Sequence, residues 1–224
     1  MKYDVTLREI KCLMRMNEKY MSLRAVKAGQ SGKVIPTTAA VNLKILDDYL
    51  NEIGNDDALY YVDGESQAPE GIHTGNILLA HKIVHGSSCS LECGNFIVLR
   101  IAEHKLSDST KDSNLKLRKF VKEFDLSTFD SPIDASIKES LWEQLLCVDN
   151  YAKDSTQKNS FMSKLDIYLT EYATFEGRDK VLVSVTYTSN GREYSFHPKT
   201  KLESIVRAFF DKDGEKHMLI KDQK

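Results

Sequence analysis

Apolar residues recur every three or four positions through most of the first 150 residues, a spacing typical of helices that bury one face. This spacing predicts five helices, at residues 5–26, 39–53, 76–85, 115–124 and 134–151. Between them, residues 58–62 and 96–102 form continuous apolar runs. Runs of this length are typical of short buried strands, so this part of the chain is predicted to be mostly helical around a short central sheet.

The pattern changes after residue 160, where apolar and polar residues alternate as they do in half-buried strands. The alternation predicts three strands, at residues 165–172, 181–187 and 193–197. Asn190-Gly191, between the second and third of these, is the strongest β-hairpin signal in the sequence and favours a type I′ turn. Apolar residues return to helical spacing at 202–210, which predicts a final helix.

The polar stretch 154–160 separates the two patterns and is the best candidate for a linker. We therefore predict an α+β fold with two parts. A mostly helical α+β domain at 1–153 is followed by a smaller β-β-β-α module, a β-hairpin with a helix, at 161–224. A single domain that spans the whole chain is the alternative.

Length and composition are those of an ordinary globular protein: 224 residues, 41% hydrophobic and 29% charged, with a formal net charge of −2. No apolar run reaches the length of a membrane span, and no apolar signal-peptide segment follows Met1, so we expect no membrane contact and a cytoplasmic location. In that compartment the four cysteines are expected to be thiols or metal ligands rather than disulfides. These features exclude a collagen-like or disordered chain and leave the function open.

Basic side chains concentrate near the N-terminus, where residues 1–36 carry eight Lys or Arg against three Asp or Glu. Four of them share one face of the first predicted helix: Arg8, Lys11, Arg15 and Lys19. Such a row is suited to a nucleic-acid backbone, because phosphate binding depends mainly on Lys and Arg. An ordinary solvated helix face is the alternative.

An acid and a lysine two residues apart, Glu103 and Lys105, follow the strand predicted at 96–102. Residues two apart in a strand point the same way, so the carboxylate and the ammonium would stand side by side. Asp63, at the end of the other central strand, would supply a second acid. Asp63 and Glu103 would hold Mg²⁺, with Lys105 near the attacking water, which predicts a metal-dependent nuclease or another nucleic-acid-directed phosphodiesterase. Solvated residues at a strand end are the alternative.

Four residues of types that ligate zinc lie at successive spacings of four: His81, His85, Cys89 and Cys93. The two histidines would share a helical turn, and the glycine and serines at 86–88 would let the cysteines fold back. This spacing differs from that of the usual zinc fingers. A structural zinc site is therefore a weaker hypothesis than buried cysteines beside a helix face.

A non-enzymatic module that binds a protein or a nucleic acid is the alternative function. The loop at 64–75, rich in glycine, is long enough to be a contact surface. The C-terminal strands carry aromatic residues interleaved with basic ones: Tyr187, Arg192, Tyr194, Phe196, His197 and Lys199. Such side chains stack bases and hold phosphates, and they are also what a half-buried hairpin normally contains.

Overall fold

The computed structural model describes residues 20–28, 38–42, 51–83, 90–101, 114–129, 133–149, 155–171 and 180–220, together with Ile10, Lys44, Leu46 and Tyr49. These parts of the chain contain ten strands and two α-helices. The strands are β1 (Tyr20–Lys27), β2 (Thr38–Asn42), β3 (Asp57–Asp63), β4 (Ile77–Lys82), β5 (Phe96–Ile101), β6 (Asn114–Asp125), β7 (Lys180–Thr188), β8 (Gly191–Pro198), β9 (Leu202–Phe210) and β10 (Lys216–Met218). The helices are α1 (Ala135–Leu146) and α2 (Ser155–Glu171).

All ten strands belong to one sheet, in the order β2-β1-β3-β4-β9-β5-β6-β7-β8, with β10 paired to β9. β1 also pairs with β6, through Val26 with Leu115 and Lys27 with Lys116. Six strands, β1-β3-β4-β9-β5-β6, therefore close into a ring. β1 runs parallel to both of its ring neighbours, and the other neighbouring strands of the ring are antiparallel.

The inside of this ring is filled with apolar side chains. Alternate residues of a strand point to the same face, and the inward set of the six strands forms one buried cluster. Its members include Val26, Tyr60, Val62, Leu78, Ala80, Phe96, Val98, Leu115, Leu117 and Val206. The Tyr60 hydroxyl inside this cluster accepts a hydrogen bond from Ser204 Oγ at 3.1 Å. The ring is therefore a packed core.

The second half of β6 leaves the ring and continues the sheet outward. It runs beside β7 from Lys119 to Asp125, with a bulge between Phe120 and Lys122. β7 and β8 form a hairpin, and α1 and α2 cover one face of it. The cluster between helices and hairpin includes Trp142, Leu145, Phe161, Leu165, Tyr168, Val183, Tyr194 and Phe196. The opposite face of β6, β7 and β8 is turned away from the helices.

The loop between β3 and β4 fills the place where β6 and β7 diverge. There the Tyr187 backbone N–H donates to the Ser66 carbonyl at 3.0 Å. The loop begins at Gly64, whose φ of +114° lies in the left-handed region. A Cβ at this position would lie 2.2 Å from the Ala28 carbonyl oxygen, so glycine is needed for the close approach.

The predicted α+β fold with a mostly helical N-terminal part is wrong, because the described residues up to 125 are dominated by strands β1–β6. Predicted helices coincide with strands at 20–26, 39–42, 77–82 and 115–124. β4 is buried on both faces from Ile77 to Ala80, so its sequence lacks the alternation that marks a half-buried strand. In β6 the bulge interrupts the alternation and brings apolar residues to helix-like spacings.

The predicted β-β-β-α order of residues 161–224 is wrong as well, since a helix comes first and three strands follow. α2 buries Phe161, Leu165 and Tyr168 at helical spacing. Ile167, which a strand would place on the same face as Leu165, is 50% exposed. The predicted final helix is strand β9, which is buried on both faces and so shows no alternation.

Three predicted features are confirmed: the strands at 58–62 and 96–102 as β3 and β5, the helix at 134–151 as α1, and the hairpin as β7–β8. α1 begins after Asp134, whose carboxylate accepts the Ile137 N–H at 2.9 Å and so caps the helix. The hairpin closes at Thr188 and Gly191, which pair with each other, so its loop is Ser189-Asn190 and the predicted turn centred on Asn190-Gly191 is off by one residue.

The predicted linker at 154–160 is, from residue 155 onward, the beginning of α2. Strands on the two sides of it share the same sheet: β7 lies beside β6, and β9 lies between β4 and β5. Among the described residues, neither helix combines the length and the apolar character that a membrane crossing requires.

Candidate functional site

The structure describes one member of the predicted nuclease site. Asp63 is the last residue of β3, is half-buried, and its backbone carbonyl accepts the Ala28 N–H at 2.8 Å. Glu103 and Lys105 lie outside the described residues, and so do the four basic residues Arg8, Lys11, Arg15 and Lys19. The Mg²⁺ site and the nucleic-acid contacts therefore stay predictions.

Two members of the predicted zinc site are described, and each has a neighbour of its own. His81 on β4 places Nδ1 3.5 Å from an Asp57 carboxylate oxygen. Cys93 lies before β5, with Sγ 3.6 Å from the Val148 carbonyl, and burial raises the pKa of its thiol. His85 and Cys89 lie outside the described residues, so zinc also stays a prediction.

A different group of possible metal ligands joins β9 to β10: Asp211, Glu215 and His217. The Asp211 carboxylate accepts the backbone N–H groups of Asp213 and Glu215 and lies 3.0 Å from His217 Nε2. The hydrogen bond to His217, followed by the backbone bonds, lowers the pKa of Asp211. These contacts give Asp211 a structural role in the turn, and sequence reasoning did not single the group out.

The face of β6, β7 and β8 that is turned away from the helices includes three polar side chains with buried atoms that form no hydrogen bond within the described part of the chain: Arg118, Ser184 and His197. Phe120 pairs with Ser184, so Arg118, two residues before Phe120, shares that face. Leu182 pairs with His197 and lies two residues before Ser184, which places His197 on the same face. We call these three residues the Arg118 site.

Arg118 is a buried cation that forms no ion pair with an acid in the part of the chain that the structure describes. Its side chain is 4% exposed, and Nη1 donates to the carbonyl of the preceding Leu117 at 2.8 Å. Nε is buried and has no hydrogen-bond partner. Burial lowers the pKa of Arg118 to about 10, and the charge of Glu193 opposes this only in part. Glu193 itself is engaged by Lys164, whose Nζ lies 2.6 Å away.

The other two members also hold buried polar atoms without partners. Ser184 is fully buried, and its Oγ has no hydrogen-bond partner. His197 is half-buried as a residue, but its Nε2 is sealed from solvent and has no partner either. Burial, with the positive charges of Arg118 and Lys116, lowers the pKa of His197 to about 3, so the imidazole is neutral at pH 7.

Apolar residues are the strand neighbours of the Arg118 site: Ile97 pairs with Arg118, Phe120 with Ser184 and Leu182 with His197. The outer faces of β5, β6, β7 and β9 form one buried cluster: Ile97, Leu99, Phe120, Leu182, Leu202 and Ile205. Polar atoms beside such a cluster are held at low dielectric, where each missing hydrogen bond costs more than it does at the surface. The site therefore combines positive charge, unused hydrogen-bonding atoms and a dry surround, which are the properties of an anion receptor.

The helix-covered face of the same strands carries a polar network in which the charges are paired. Asp149 is 3% exposed and accepts hydrogen bonds from Tyr194 Oη at 2.6 Å and from Arg192 Nη1 at 2.5 Å. Burial, followed by the hydrogen bond with Asp149, raises the pKa of Tyr194. The sequence makes Tyr194 a candidate for stacking bases and Arg192 a candidate for holding phosphates, and in the structure both side chains connect the residues after α1 to β8.

On the same face, Glu70 of the β3–β4 loop contacts two side chains of the sheet. Glu70 lies 2.7 Å from Lys119 Nζ and accepts a hydrogen bond from Tyr187 Oη at 2.5 Å. Burial alone would raise the pKa of Glu70, but the bonds from Lys119 and Tyr187 outweigh it and hold the pKa below its usual value. These contacts connect the loop to β6 and β7.

No protein-family model, no curated protein and no solved structure matches this chain. Interpretation of the Arg118 site therefore rests on its own geometry and chemistry.

Proposed function

We propose that the protein is a non-enzymatic binding module that holds an anionic ligand at the Arg118 site. The observation that supports this is the buried Arg118 guanidinium, which forms no ion pair with a carboxylate among the described residues. Buried charges in proteins are normally paired, because an unpaired one costs on the order of several kcal/mol. A bound anion would supply the missing charge and hydrogen-bond acceptors.

The neighbouring residues support an anion rather than a cation. The positive charge of Lys116 also acts on His197, and Glu193, the acid whose charge acts on Arg118, forms an ion pair with Lys164. His197 is neutral at pH 7 and offers a ring nitrogen. The ligand would thus meet the positive potential of Arg118 and Lys116 and polar atoms from three strands.

Thermal unfolding in the presence of different anions tests this proposal. At constant ionic strength, wild-type protein should gain several degrees in Tm as a binding anion replaces a non-binding one, because a ligand of the folded state stabilises it by mass action. Arg118→Met should abolish the gain. Lys138→Met, which removes a lysine from α1 on the far side of the sheet, should keep it. A wild-type Tm that follows ionic strength alone would refute the proposal.

A further inference from the structure

We infer that the Arg118 site is built for a tetrahedral oxyanion of the size of inorganic phosphate. This inference rests on the proposed function and specifies the class of ligand. It follows from the number of polar atoms without partners, from the directions in which the three strands present them, and from the burial of the site.

Arg118 presents one edge of its guanidinium to a ligand. Nη1 is engaged by the Leu117 carbonyl, whereas the edge formed by Nε and Nη2 has no partner among the described residues. This edge carries two parallel N–H groups, the fork with which arginine binds two oxygens of a phosphate or a carboxylate. A point anion such as chloride would use the fork poorly.

Ser184 and His197 add polar atoms that a planar ligand would leave unused. Ser184 lies on the central strand β7, and the registers make Arg118 of β6 and His197 of β8 its diagonal neighbours on the same face, so a ligand at the Ser184 hydroxyl would have the arginine on one side and the histidine on the other. A carboxylate has two oxygens, and both are taken when it lies on the arginine fork. A tetrahedral oxyanion has four, which leaves two for Ser184 and His197.

The burial of the site limits the size of the ligand. Arg118 is 4% exposed and Ser184 is fully buried, so an ion that contacts both must enter almost entirely. Phe120 and Leu182, on the same face, are buried too and offer no donors in their side chains. A free inorganic ion fits these limits better than a phosphoester with a bulky substituent.

Titration calorimetry with four small ligands tests the inference on the full chain. Inorganic phosphate and sulfate should bind, and acetate should bind at least tenfold more weakly. Inorganic phosphate should bind at least as tightly as phenyl phosphate. Line broadening of the inorganic phosphate signal in ³¹P NMR supplies a second readout that does not depend on the heat of binding.

Ser184→Ala tests the hydrogen bond that the Ser184 hydroxyl would form with the bound ion. Loss of one hydrogen bond to a charged ligand should weaken phosphate binding about tenfold. It should leave the Tm in phosphate-free buffer unchanged or slightly higher, because the buried hydroxyl has no partner there. Ser163→Ala, on the exposed surface of α2, should bind phosphate like the wild type.

The outcomes separate this inference from the proposed function. If acetate binds as tightly as phosphate, the tetrahedral class is wrong while the anion-binding module stands. A tenfold preference for phenyl phosphate would refute the small-ion assignment, and wild-type affinity in Ser184→Ala would refute the role of β7. If no anion binds the wild-type protein, the proposed function itself fails.

Discussion

Two buried charged side chains, Asp149 and Arg118, differ in whether an opposite charge contacts them within the described residues. Asp149 is 3% exposed and is neutralised by Arg192 and hydrogen-bonded by Tyr194. Arg118 is 4% exposed, and within the described residues it donates only to the carbonyl of Leu117. The first arrangement pairs the buried charge within the chain, whereas we propose that the second is compensated only when an anion is bound.

This contrast predicts that replacing Arg192 and replacing Arg118 change the free energy of unfolding by different amounts. Arg192→Met removes the cation that contacts the buried Asp149 carboxylate, and should destabilise the protein by about 3 kcal/mol. Arg118→Met removes an uncompensated charge and, in phosphate-free buffer, should change the stability by less than about 1 kcal/mol or increase it. Urea unfolding measures both. Lys158→Met, which breaks an exposed ion pair with Glu139, is the control and should cost less than about 1 kcal/mol. Equal losses in the two arginine variants would contradict the interpretation.

His197 predicts a pH dependence at the residue scale. Its folded pKa of about 3 lies below the ordinary value of 6.5, so between these values the unfolded chain binds more protons than the folded one. Stability is therefore complete above about pH 6.5 and falls as the pH drops through this window, by about 2 kcal/mol between pH 7 and pH 5.

Urea unfolding at several pH values checks this prediction. His197→Asn should lose most of the slope between pH 7 and pH 5, whereas His81→Asn, at a position with a half-exposed side chain, should keep it. If both variants show the wild-type slope, the buried imidazole is not its source.

At the scale of elements, the sequence pattern predicts correctly helix α1, which is buried on one face only. α1 buries Leu141, Trp142 and Leu145 and exposes its other face, so its helical spacing was readable. β9 is buried on both faces, because it lies between β4 and β5 and is covered on both sides, and its apolar run looked helical. The pattern therefore failed where tertiary packing, rather than local amphipathicity, fixes the burial.

The Arg118 site could not be predicted from the sequence, for the same reason. Arg118 follows Leu117 and precedes Lys119, a polar and apolar alternation that usually places the arginine in water. In the sheet, however, Arg118 pairs with Ile97 of β5, which belongs to the apolar cluster on the outer faces of β5, β6, β7 and β9, and its side chain is 4% exposed. Only His197 of the three site residues had been noticed, as part of a hairpin rich in aromatic and basic residues.

The β3–β4 loop offers a matched pair of glycine substitutions. Gly64 and Gly71 both have positive φ, but a Cβ at Gly64 would lie 2.2 Å from the Ala28 carbonyl oxygen, whereas a Cβ at Gly71 meets nothing within 4 Å. Gly71→Ala should therefore cost about 1 kcal/mol, the strain of the left-handed backbone alone. Gly64→Ala should cost about 3 kcal/mol or more, because the loop or β1 must move.

Urea unfolding of the two variants at the same pH gives the comparison. Equal losses would mean that the contact of Gly64 with Ala28 does not constrain the loop. A larger loss at Gly71 would contradict the geometry of the loop directly.

At the scale of the whole molecule, the pairings that define the fold join distant parts of the chain. β1 closes the ring on β6 through Val26 and Leu115, and β9 inserts between β4 and β5. Local patterns carry no information about such pairings, so neither the closed ring nor the strand order could be predicted. They also bear on the division at 154–160, because one sheet includes strands from both sides of it.

This shared sheet predicts that the ring and the helix-covered hairpin unfold together. Trp142, the single tryptophan, lies in the cluster between the helices and the hairpin and reports on that part alone. Far-ultraviolet circular dichroism reports on the strands of the whole sheet. The two urea transitions should coincide in midpoint and slope, because separating the parts would break the pairing of β6 with β7 and expose β9. Two resolved transitions would instead support independent domains on either side of 154–160, and would show that the β6–β7 pairing contributes little to cooperativity.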